Sequence, residues 1–267
     1  MKERVARPMR RIAMSWRRGG MLLAACSLAL TGCGAVHSAR MWLPKASGMD
    51  EVSPQLYVEP SMTTEQRQAL QRQIDIGRAS IVAFYGEATA KPYIVACLSS
   101  DCDIRFGSYG QRAAAYGDLA IRLSAKGWSA PLIAHEWSHA EIYRRAGGWW
   151  YARKIPRWFD EGVAVVLADE PIHSESNWRE IQRRGLPVPM LGELQSFSDW
   201  GAAVRKYGET EGDVPDNLHV VYTAVGHEMR TFLACTGPAG VLSVLDALHS
   251  GASFDEAYSN AKSKCVN

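Results

Sequence analysis

The 267-residue sequence has no pair of cysteines at CxxC spacing, no internal repeat and no low-complexity tract. The first absence argues against a cysteine-bound zinc, and the second against a solenoid or propeller. The third, with a hydrophobic share of 47% and a charged share of 22%, argues against a disordered or fibrous chain. The apolar run at residues 21–30 is too short to cross a bilayer as a mature helix. Beyond residue 32 there is no lysine or arginine stripe with interleaved aromatics, which speaks against nucleic acid as a partner.

The basic residues crowd at the start. Lys2, Arg4, Arg7, Arg10, Arg11, Arg17 and Arg18 precede the apolar run, in the order of an export signal. The run ends in Leu30-Thr31-Gly32-Cys33, which resembles the lipobox of bacterial lipoproteins. The resemblance implies a signal over residues 1–32, a diacylglycerol on Cys33 as membrane anchor, and a place in the bacterial cell envelope. Gly34, in place of Asp, implies the outer membrane facing the periplasm if the cell is Gram-negative. An ordinary secretory signal with an incidental cysteine is the alternative. Loss of residues 1–32 removes seven basic residues and one acidic one, so the formal charge of +2 gives way to a mildly acidic mature chain. Residues 33–60 carry Pro44, Pro54 and Pro60 among polar side chains and read as a tether.

Cys26 leaves with the signal, so Cys97, Cys102, Cys235 and Cys265 remain besides Cys33. An even number in an exported chain suggests two disulfides. Of the three pairings, Cys97 with Cys102 and Cys235 with Cys265 is favoured because each joins local or neighbouring segments.

The rest, residues 61–267, reads as one α+β unit: a small sheet with a long helix over 61–128, then a mainly helical part over 129–267. Apolar residues recur at helical spacing over residues 63–85. Residues 93–98 and 118–123 are short and bounded by proline or glycine, as strands are, and 103–107 are a candidate third. Pro131 suits a first helical turn, and Gly147-Gly148 stops the helix that follows. Pro156 opens the next helix, and further helices are expected over 174–184, 197–206, 217–235, 238–249 and 253–263.

The helix after Pro131 contains His135-Glu136-Trp137-Ser138-His139, an HExxH sequence. Residues four apart on a helix are about 40° out of line and about 6 Å apart along the axis, so both imidazoles can converge on one ion. Glu136 lies about 100° round from His135, beside a water on such an ion and outside its ligands. A catalytic zinc takes three protein ligands and one water. The best third candidate is Glu161, 22 positions after His139. Trp158, Phe159, Val163 and Val165 surround it, where an unpaired carboxylate would be costly to bury.

The pair HEWSHA (135–140) and PRWFDEGVA (156–164) resembles the gluzincin metallopeptidases, and among them the bacterial peptidase MA-like family, with its HExxHA and PxWxxEGxA motifs. The similarity covers residues 115–260, more loosely toward the end. It implies a zincin-like fold with adjacent metal-binding helices, zinc held by His135, His139 and Glu161, and Glu136 as general base. It places Tyr222 near a tyrosine that steadies the oxyanion; His219 and His227 are alternatives. Some gluzincins orient a histidine with an Asp four residues after the glutamate ligand, but this chain has Val165 there, leaving Asp160 or Asp169 for that part. The family also implies a peptide or protein substrate paired along an edge strand, expected at 118–123. The implied activity is hydrolysis of peptide bonds by a lipid-anchored zinc enzyme. A catalytically silent lipoprotein of the same fold and an amidase acting on cell-wall peptides are the alternatives.

Overall fold

A computed structural model describes residues 39–108, 110–208, 217–263 and 265. The signal segment and Cys33 lie outside the described residues.

The chain is α+β, with a small mixed sheet before a mostly helical remainder. Strands β1 (Asp50–Ser53) and β2 (Leu56–Val58) form an antiparallel pair, and helix α1 (Thr64–Tyr85) leads from β2 to β3 (Tyr93–Ala96), which runs parallel to β2. After helix α2 (Ser100–Arg105), β4 (Ala113–Tyr116) turns back on β5 (Ala120–Leu123), and β5 pairs parallel with β3. The order is therefore β1-β2-β3-β5-β4.

Three expectations need correction. Residues 33–60 are not a bare tether: the described part of that stretch holds β1 and β2, with Met41 and Met49 buried. Arg67 ties Asp50 to the sheet side of α1 at 2.7 Å, and Pro54 serves the β1–β2 turn. Residues 103–107 are not a strand, because Ser99 caps α2 by accepting from the Cys102 N–H, and Asp101 and Asp103 favour a helix N-terminus. The segment 118–123 is not an edge, since β5 lies between β3 and β4; the edge on that side is β4.

Helix α1 begins where Thr63 and Gln66 exchange side-chain and backbone hydrogen bonds as a capping box. Its stripe of Leu70, Ile74, Ile81 and Tyr85 faces the core, whereas Ile76 and Val82 point outward. Gly77 lets it approach the next long helix, α3 (Ala130–Arg145): a Cβ there would sit 2.9 Å from Ile133. A short helix α4 (Trp149–Ala152) leads to α5 (Arg157–Ala168), followed by α6 (Glu175–Arg183), α7 (Phe197–Lys206), α8 (Val220–His249) and α9 (Phe254–Ser263). Helix α8 joins the expected helices 217–235 and 238–249 across a kink at Gly237-Pro238. By length and composition α8 resembles a membrane span, yet Val221, Val225, Met229 and Phe232 are buried in the core.

Helix α5 packs closely between α3 and α8. A Cβ at Gly162 would lie 2.9 Å from the Val225 carbonyl, and one at Gly226 would lie 2.7 Å from Val165. Val165 therefore fills a tight helix contact. Disulfides join Cys97 to Cys102 and Cys235 to Cys265, the favoured pairing.

Candidate metal centre

Helix α3 is buried along most of its length, taking His135 out of solvent with it, and His139 is partly buried. One turn apart, His135 and His139 meet Glu161 on the facing side of α5. Glu161 Oε2 lies 3.3 Å from His135 Nε2 and 3.8 Å from His139 Nε2, and the ligand atoms of all three residues fall within 4.8 Å of one another. The group could hold a metal ion.

The hydrogen-bonding pattern supports that. Glu161 is 2% exposed, its Oε2 has no hydrogen-bond partner, and neither does His135 Nδ1. A buried carboxylate oxygen without a donor is costly, and a cation between it and two imidazoles would satisfy it. Burial works to raise the Glu161 carboxyl, but Arg157 and then His139 hold it well below the ordinary carboxylate range. It is an anion at any working pH, as a ligand must be.

Asp160 settles which acid orients a histidine. Its Oδ1 stands 2.8 Å from His139 Nδ1, so a proton on Nδ1 turns the Nε2 lone pair toward Glu161. Asp169 ends α5 in a left-handed conformation, φ 50°, and is not among the residues lining the site.

A cavity of about 720 Å³ opens onto the three residues. Glu136, 8% exposed, lines it beside them, and so do β4, Tyr222 and His219. Tyr222 stacks on His173 and meets Trp200 edge-on. His227 lies outside the cavity, with Nδ1 3.0 Å from Glu175 and its ring stacked on Trp178. Comparison of the chain with family models, characterised proteins and solved structures yields no match.

Two residues at the site escaped the sequence reading. His173, on the turn Pro171–His173, is buried against the cavity with its Nδ1 lacking a hydrogen bond. Burial, and then the neighbouring His135, His219 and Arg112, push its pKa down to about 3, so it is a neutral imidazole. No local motif marks it. Arg157 was legible: three and four residues before Asp160 and Glu161, it is placed by helical spacing to reach both.

A second cluster, Glu59 with Cys97 and Cys102, is already satisfied internally. The sulfurs are bonded to each other, and Glu59 accepts from the Leu98 and Ser99 N–H groups and the Ser99 hydroxyl.

The metal-free protein should show a particular pH dependence. Burial opposes a charge on His139, but Asp160 and then Glu161 overcome it and raise its pKa from 6.5 to about 9. A raised folded pKa stabilises the fold below the unfolded value and loses that contribution as pH rises through about 9. The melting temperature of chelator-treated protein should therefore fall between pH 6.5 and 9. Metal affinity should rise over the same range, because binding displaces the proton. An apo melting temperature that does not fall over this range would contradict the His139–Asp160 pairing.

Proposed function

We propose that the chain is a zinc-dependent peptidase of the gluzincin type, zincin-like in fold, with His135, His139 and Glu161 as ligands and Glu136 as general base. The observation that carries this reading is the buried Glu161 Oε2, without a hydrogen bond, facing two imidazoles in a cavity that Glu136 also lines. A structural site would use four protein ligands and no base.

Two histidines and one carboxylate suit zinc. Held by these three residues, zinc would supply Lewis acidity to a water and to a substrate carbonyl. Glu136 would take the proton of the attacking water and pass it to the departing amine. Tyr222, which lines the same cavity, would donate its hydroxyl to the carbonyl oxygen as negative charge develops there. Strand β4 lies along the cavity as one edge strand of the sheet, and its backbone would offer pairing to an extended peptide. This moves the expected substrate strand from 118–123 to Ala113–Tyr116. In the same reading, Cys33 carries the lipid that holds the enzyme on the cell envelope.

A fluorogenic peptide library, with cross-linked wall peptide as a separate arm, tests the proposal. Cleavage in the library should vanish on chelation and return with zinc. Zinc-replete protein that cuts nothing would favour the silent lipoprotein, and cleavage of wall peptide alone would favour the amidase.

A further inference from the structure

The two oxygens of Glu161 differ: Arg157 holds one, and the other has no hydrogen bond. The Arg157 guanidinium donates through Nη2 to Glu161 Oε1 and through Nη1 to Asp160 Oδ2. The other Asp160 oxygen accepts from His139. One planar cation is thus bonded directly to one candidate ligand and, through Asp160, to a second. The ring of Phe197 covers the guanidinium at 4.2 Å, and the arginine side chain is 17% exposed. What remains of Glu161 is a single oxygen, Oε2, turned toward the imidazoles.

That division bears on how many positions a bound ion has left. A carboxylate can hold a metal through one oxygen or two. With two imidazoles already bound, a second carboxylate oxygen would take the place a catalytic zinc keeps open for water. We propose that Arg157 is a positioning residue that keeps Glu161 a one-oxygen ligand and so reserves the fourth position for water. The inference rests on the metal-site reading above and adds the cause of the open position. Only a planar fork suits the task, because the donors must reach two carboxylates from one fixed group. A lysine ammonium has the charge without the fork.

Cobalt(II) is the probe, since its visible bands weaken several-fold when four-coordinate geometry gives way to five or six ligands. Wild-type protein, Arg157→Ala and Arg157→Lys are each loaded with cobalt after their helical content has been checked by circular dichroism. The wild type should give strong four-coordinate bands. Both variants should give bands several-fold weaker, and kcat should fall with KM little changed. If Arg157→Ala does not fold, Arg157→Lys carries the same comparison. Wild-type bands in the folded variants would overturn the proposal while leaving the metal site standing. Failure of the wild type to take up cobalt would overturn the metal reading itself.

Discussion

Replacing Glu136 with Gln should lower peptide hydrolysis by about 10² to 10⁴-fold, the usual contribution of a positioned general base, while zinc content stays at the wild-type level. Glutamine keeps the shape of the side chain and cannot accept the proton. Glu136 lines the cavity and is not one of the three clustered ligand residues, so its loss leaves the ligand set intact. Metal analysis beside a single-turnover peptide assay separates the two effects. Equal activity in the variant would remove Glu136 from the mechanism. Loss of zinc together with activity would instead make it a ligand.

Glu161→Gln should have the opposite signature. The side chain keeps its length but loses the charge that faces His135 and His139, and one of its ends becomes an amide in a space suited to a carboxylate. Substituting an outer partner of a metal ligand typically costs 10 to 100-fold in affinity; substituting the ligand itself should cost more than about 100-fold by the same scale. Zinc at 100 times its dissociation constant stabilises a folded protein by about 2.7 kcal/mol. Adding zinc should therefore raise the melting temperature of the wild type and leave that of Glu161→Gln unchanged. The same rise in both proteins would mean that the ion sits elsewhere.

The helices were legible because their ends are chemically marked. Ser196 and Asp199 form a capping box at the start of α7, Pro131 occupies the first turn of α3, and Gly86 closes α1 with φ 82°. The sheet was harder to read. Strand β4 is Ala-Ala-Ala-Tyr, which has little strand preference of its own, and it becomes a strand by pairing with β5. Its position outside β5 is a tertiary fact, so residues 118–123 read in the sequence as an edge strand although β4 covers them. Strands β1 and β2 were hidden among prolines that make turns as readily as they make linkers.

At the site, the ligand spacing within α3 is local and can be read from helical geometry. The meeting of α3 with α5 is not local, and it decides that Asp160, rather than Asp169, reaches His139. Gly162 and Gly226 let α5 approach α8 closely by removing side chains from that contact. His173 arrives from a separate turn with no surrounding pattern, so only the folded chain brings it to the cavity.

X-ray absorption at the zinc edge of the metal-loaded protein tests the central claim most directly. The account predicts two imidazole nitrogens and one carboxylate oxygen from the protein, with zinc–nitrogen distances of about 2.0–2.1 Å and one further light atom from water. A spectrum dominated by sulfur, or one lacking the multiple scattering of two imidazole rings, would contradict it.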